Sequence, residues 1–367
     1  MKNNKTENSL TPVIFFILPF LFAPLILITW FLGGLSIALI PLYGYFSISL
    51  LDYFFGLDEQ TKINSQDSKK YSIILWVWPF LQFILVFGSL AVIYNSSNFS
   101  IFEAIFLMVS LGIVTGAIGI TFAHELMHKK NKIEKILSDL LLGMVLYGHF
   151  RTEHLMTHHR YVGTKKDTVT ARFNESFYVF FLRVLPGSII SAWNVEKEKL
   201  SKRKKKVFNY KNPFWIYFGL ILLFITIAFS IAGIFGILLF IIQAIIAIIH
   251  LEVVNYIEHY GLSRKLLSNG KYEKTKPQHS WNANQKVSNL FLINLQKHSD
   301  HHYNPNKSYQ LLTAFDSNAA PQLPFGYPIM VLLSLFPRQW KKVMNPKVQE
   351  WRKRFYPEIS NWNHTLN

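Results

Sequence analysis

The chain has 367 residues; half are hydrophobic, 16% are aromatic and only 16% are charged, against roughly 25% in soluble domains. A net charge of +17 would suggest nucleic acid in a soluble protein, but no Lys or Arg falls within 6–61, 71–128 or 212–263, so the basic residues flank three long apolar stretches and no nucleic-acid partner is expected. Cysteine is absent, which excludes a disulfide framework, a thiolate-ligated haem, cysteine-ligated iron–sulfur clusters and a catalytic thiol, so any redox metal must sit on His or carboxylate and draw its electrons from another protein.

The first apolar run begins near Thr11 and lacks a small-residue cleavage site, so it reads as a membrane span rather than a cleaved signal. Each of the three stretches free of Lys and Arg is long enough for two passes, since one needs ~20 apolar residues. Helices are predicted at about 12–31, 34–56, 72–95, 101–122, 214–232 and 234–257, paired by short turns without cationic residues. The positive-inside rule then places both termini, the 57–71 loop, 123–213 and 258–367 in the cytoplasm. The fold class is an all-α integral membrane protein, a single domain with six transmembrane helices and a cytoplasmic, helical, His-rich region that would bind metal. The expected location is the inner, cytoplasmic membrane.

Within the fourth span, Gly112-x-x-x-Gly116 and Gly119 predict a close helix-packing face. Ile136–Phe150 and Phe325–Phe336 are too short to span, and Phe177–Trp193 is broken by Arg183 and Pro186-Gly187; all three suit interfacial or re-entrant segments. The basic tract Lys197–Lys211 is expected to face anionic lipid.

Nine of the thirteen histidines fall into clusters. His124-Glu-Leu-Met-His128 puts two imidazoles at i and i+4, on one face of a helix. Glu153-His154-Leu-Met-Thr-His158-His159 repeats that spacing with a third imidazole adjacent. His298-Ser-Asp-His301-His302 gives i, i+3 and i+4, and His259 stands where the sixth helix leaves the membrane. All can converge on one membrane face. One such pair could be two satisfied polar residues, whereas three boxes at the same level argue for metal. Imidazole suits Zn, Cu, Fe or Ni, so softness alone does not choose the ion, and nine donors suffice for two. Glu125, Glu153, Glu258 and Asp300, beside the boxes, are expected to accept the outer ring N–H of a ligand. His149, His250, His279 and His364 are expected to be structural or to support a ligand from behind, not to bind metal themselves.

These boxes, together with Asn255-Tyr-Ile-Glu-His-Tyr-Gly-Leu262, Leu295-Gln-x-His-Ser-Asp-His-His302, Arg264, Lys276-Pro-x-His-Ser-Trp-Asn282 and Val287-Ser-Asn-Leu290, resemble the alkane 1-monooxygenase family of membrane non-haem di-iron enzymes. The resemblance runs from the first helix to about residue 350. It implies O2-dependent hydroxylation of the terminal methyl of an n-alkane and two irons held by His124, His128, His154, His158, His159, His259, His298, His301 and His302. It further implies electrons from rubredoxin, itself reduced by an NAD(P)H-dependent reductase. Met127, Thr157 and Lys297 depart from the family pattern, which leaves substrate range open. Rubredoxins are acidic, so Lys129, Lys130, Lys132 and Lys135 are expected to dock the donor, with the 202–206 tract as the alternative. The competing readings are an aryl-methyl monooxygenase, a fatty-acyl desaturase or hydroxylase and, more remotely, a metal transporter.

Overall fold

The computed structural model describes residues 12–58, 69–360 and Trp362. Among them the chain is helical, with isolated β-bridges only. Helix α1 (Val13–Leu32) turns into α2 (Gly34–Phe55) at Gly33 and Gly34, both at φ +57°, a left-handed conformation that a side chain would strain. Helix α3 (Lys69–Asn95) is followed by α4 (Ile101–Met127), which starts on a capping box: Ser100 Oγ accepts the Glu103 N–H, and Glu103 Oε2 accepts the Ser100 N–H at 2.7 Å. Then come α5 (Lys132–Gly143), the His-bearing α6 (150–161) and α7 (Phe177–Lys202).

The apolar rod Phe214–His259 is hydrogen-bonded almost throughout, but 46 residues would measure ~69 Å against a hydrocarbon core of ~30 Å. It breaks at Ala232 (φ −140°) and Gly233 (φ +59°) into α8 (214–231) and α9 (234–259), at the turn expected between the fifth and sixth spans. Short helices α10 (Lys286–Phe291), α11 (His298–Tyr303) and α12 (Tyr327–Ser334) and the basic α13 (Pro337–Phe355) complete the chain.

By length and composition six helices could cross a membrane: α1, α2, α3, α4, α7 and the 214–259 rod. The α7 helix differs from its sequence expectation. It runs unbroken through Pro186, and its one central cation is neutralised, because Arg183 meets Glu175 at 2.8 Å and donates to the carbonyls of Thr168 and Thr170.

Gly112 and Gly116 let α4 lie directly on α9. A Cβ at Gly112 would stand 2.7 Å from the Gln243 carbonyl, and one at Gly116 would stand 2.7 Å from His250 Cβ. The helix ends converge on the 277–334 segment. Asp52, near the end of α2, accepts the Val287 and Ser288 N–H groups at 2.9 Å each. Tyr309 donates its hydroxyl to the Tyr71 carbonyl at the start of α3, and its N–H to Glu125 at the end of α4. Tyr327 donates to Glu258 at the end of α9. The polar mass therefore sits at one end of the bundle.

Candidate metal centre

The nine clustered histidines resolve into two groups. His124, His128, His154, His159 and His301 form one; His158, His259, His298 and His302 form the other. Within each group the donor nitrogens lie within 4.8 Å of one another. Many are closer: His128 and His159 Nε2 lie 3.1 and 2.9 Å from His154 Nε2, and His301 Nε2 lies 3.1 Å from His159 Nε2. In the second group, His158 and His302 Nε2 are 3.2 Å apart, and His259 and His298 Nε2 are 3.1 Å apart. Donors ~2.1 Å from one ion stand ~3 Å apart when they are neighbours in its shell, so both groups fit a cation. The rings of His159 and His302, from different groups, are 4.6 Å apart, so the two groups lie side by side.

Local geometry decides which imidazole goes where. His124 and His128 share a face of α4, as their spacing predicts. The second box departs from that pattern because His154–His158 is a π-helical turn. The wider turn aligns His154 with His159, five residues on, and sends His158 to the other group. In α11, His298 and His302 face one group and His301 the other, since adjacent residues project ~100° apart. Burial, with the neighbouring imidazoles adding, holds His154, His159, His298, His301 and His302 well below the usual imidazole range. They are neutral, with lone pairs free for a metal.

A cavity runs into the bundle from this centre. It ends on His124, His154 and His298, and its walls include Phe22, Ile113, Leu251, Val254 and Phe291. Gly116 and His250 also line it; Gly116 precedes His124 by eight helical residues, so the cavity reaches ~12 Å into the apolar layer.

Residues 99–333 match the fatty acid desaturase family. The chain is 43% identical over 243 residues to alkane 1-monooxygenase 2 of Pseudomonas aeruginosa, covering 66% of this chain and 64% of that relative's length. It is 34% identical over 325 residues to alkane 1-monooxygenase 2 of Alcanivorax borkumensis, covering 87% of this chain and 82% of the relative. With alkane 1-monooxygenase of Ectopseudomonas oleovorans it shares 38% over 323 residues, 86% and 79% of the two chains. The chain belongs to the alkane 1-monooxygenase family.

In this family member the acids beside the boxes occupy different stations. Glu258 Oε1 accepts the Tyr327 hydroxyl at 2.8 Å, while Oε2 lies 3.2 Å from His298 Nε2, the nitrogen that also faces His259. Glu258 therefore sits on the inner side of the ring. Both Glu153 oxygens are buried with no hydrogen-bond partner among the described residues, and burial, with the charges of Asp167 and Glu252 adding, pushes this carboxyl well up. Glu125 pairs with Lys129 and takes the Tyr309 N–H. Asp300 takes Lys307, Asn304 and the Thr313 N–H and hydroxyl, clamping the loop behind α11.

The carboxylate that does meet an outer ring nitrogen was not among those acids. Asp167 Oδ2 lies 3.0 Å from His158 Nδ1 and accepts the Thr170 hydroxyl at 2.6 Å. It lies in a loop after α6, where no helical spacing connects it to the box. Of the docking lysines, Lys130 and Lys132 are exposed and Lys135 is half-buried, while Lys129 is held by Glu125 and Ser308. Lys297 pairs with Asp58 at 2.7 Å. His279 is fully buried against Tyr356, and His250 faces Tyr45. His364 lies outside the described residues.

Proposed function

We propose that this multi-pass membrane protein is a di-iron monooxygenase that hydroxylates the terminal methyl of n-alkanes to primary alcohols, using O2 and electrons from rubredoxin and its NAD(P)H-dependent reductase. The observation that carries the reading is the apolar cavity ending on the histidine centre, and the relatives' names agree with it. The five- and four-histidine groups would each hold one iron. When bound, the irons supply O2 activation and transfer of one oxygen atom to carbon.

The chain's own residues do the rest. An alkane offers no hydrogen-bonding handle, so affinity comes from burial, about 0.8 kcal/mol per CH2. Phe22, Leu251, Val254 and Phe291 supply that surface and exclude water. A cavity that admits an extended chain and ends at the histidines would present the terminal methyl first, positioning a strong primary C–H bond ahead of weaker internal ones. Asp167 orients His158, and Glu258 provides a carboxyl group beside His298. We place the histidine end in the cytoplasm and the protein in the inner membrane, with the six sequence-derived spans crossing it, since the basic residues gather at that end. Rubredoxin would dock over Lys130, Lys132 and Lys135, and the Lys202–Lys206 tract would rest on anionic lipid.

The test is a C6–C20 n-alkane series offered to membranes with rubredoxin and reductase present or omitted. Primary alcohol that depends on both proteins is the expected product. Secondary alcohols, alkenes, or turnover indifferent to rubredoxin would reject the reading.

A further inference from the structure

Glu252 is 1% exposed inside the apolar rod, seven residues and so ~10 Å deeper than His259. An ionisable side chain at that depth calls for a function or a partner. No Lys or Arg pairs with it among the described residues; a chain of neutral groups meets it instead. Tyr147 donates its hydroxyl to Glu252 Oε1 at 2.8 Å. Tyr147 Oη lies 3.2 Å from Ser188 Oγ, which lies 3.2 Å from His149 Nε2. At the inner end, Asn255 Nδ2 donates to Glu252 Oε2 at 3.1 Å, and Asn255 lines the cavity that ends on His124, His154 and His298. At the outer end, His149 is 9% exposed against 2% for Tyr147 and Ser188. Its neighbour Gly148 packs on Tyr217, close to the polar end of α8. Burial lowers the His149 imidazole to about 4 and pushes the Tyr147 phenol well up. Each of these two groups is neutral, able to accept a proton on one side while donating on the other.

The hydroxylation proposed above consumes protons: R–H + O2 + 2 e− + 2 H+ gives R–OH + H2O. The O–O bond and a C–H bond break, a C–O bond and the alcohol O–H bond form, rubredoxin supplies both electrons, and two protons leave in water. Resting on that reading, we propose that His149, Ser188, Tyr147 and Glu252 form a proton relay from the membrane boundary to Glu252, whose carboxyl, beside the cavity residue Asn255, stores a proton for the reaction. In one transfer the Tyr147 hydroxyl proton passes to Glu252, the phenol is refilled from Ser188, Ser188 from His149 Nε2, and His149 at Nδ1 from the boundary.

The alternative is that these bonds only pin the 144–149 loop to α7 and α9. The experiment compares Tyr147→Phe, Ser188→Ala, Ser188→Thr and the isosteric Glu252→Gln as purified, iron-loaded protein, with turnover, alcohol formed per O2 consumed, solvent deuterium effect and iron content measured on each. Interruption of the relay should cut turnover about 100-fold, the low end of what a positioned proton-transfer group contributes. The deuterium effect should rise and alcohol per O2 should fall, with iron content unchanged, and Ser188→Thr, which keeps the hydroxyl, should restore function. A second arm needs no metal: the Glu252 carboxyl infrared band in iron-free protein, assigned by its loss in Glu252→Gln, should shift in Tyr147→Phe and exchange with deuterium more slowly in Ser188→Ala. Normal turnover in Tyr147→Phe and Glu252→Gln would overturn the relay. So would slowed turnover with unchanged deuterium effect and an unmoved infrared band, which is the signature of packing alone. Failure of the wild-type protein to make any alcohol would defeat the hydroxylase reading, and the infrared arm would still judge the hydrogen-bonded chain.

Discussion

His259 and His250 stand nine residues apart on α9, two and a half turns, so they point to opposite sides and differ in depth by ~13 Å. The structure gives them different company. His259 is fully buried, its Nε2 3.1 Å from His298 Nε2, in the four-histidine group. Among the described residues, His250 Nδ1 has one long contact, 3.3 Å to Tyr45 Oη. Replacing His259 by Ala leaves three donors in one group and all five in the other. Purified His259→Ala should therefore fall from the proposed two irons per chain to one, and hydroxylation should cease if the reaction needs both groups loaded. His250→Ala keeps the Cβ on which Gly116 packs and loses one hydrogen bond, a net ~0.5–1.5 kcal/mol. It should melt earlier and hold both irons. Elemental analysis of each variant, alongside its melting curve in detergent, reads both outcomes. Two irons in His259→Ala, or lost iron in a stably folded His250→Ala, would refute the division of the donors.

Three further outcomes are expected. Asp167→Asn leaves His158 without its carboxylate and should weaken metal binding at the four-histidine group by ~10–100-fold in a chelator competition, with the five-histidine group unaffected. In iron-free protein, burial depresses the pKa of His154, His159, His298, His301 and His302, so below about 6.5 the unfolded chain binds more protons than the folded one. Stability is then fully present above that pH and falls as pH drops, by up to ~1.4 kcal/mol per unit for each imidazole; melting between pH 8 and 5 checks the sign. Rubredoxin-driven turnover should decline with ionic strength, since the docking lysines Lys130 and Lys132 are exposed and screening beyond ~8 Å is strong at physiological salt. An apparent affinity for rubredoxin constant from low to high salt would remove that docking surface.

Much of the centre was legible because its signals are local. His124 and His128 share a face by spacing alone, and the gaps in Lys and Arg outlined the apolar layer. The division of donors was not legible, because it depends on whether the second box winds as an α- or a π-helical turn; His154 pairs with His159 through a widening that no residue in His154–His158 announces. Asp167 carries no sequence signal, because a loop brings it to His158 and spacing rules do not reach across loops. The acids Glu125 and Asp300 lie beside the boxes in sequence, yet their side chains serve Lys129 and Lys307. A carboxylate one residue from a helical histidine projects ~100° away from it, so adjacency is a weak guide to contact. The α7 helix looked broken because Arg183 and Pro186 are unfavourable there in isolation; Glu175 and two carbonyls, distant in the sequence pattern, remove the objection.

The central claim, that one atom of O2 is placed on the terminal carbon of an n-alkane at this histidine centre, is tested most directly by turnover under 18O2. Purified iron-loaded protein, rubredoxin, reductase and a mid-length n-alkane are combined, and the product is analysed by mass spectrometry. The account predicts a primary alcohol carrying one 18O at C1. An alkene, an alcohol at an internal carbon, or a primary alcohol without the label would contradict it.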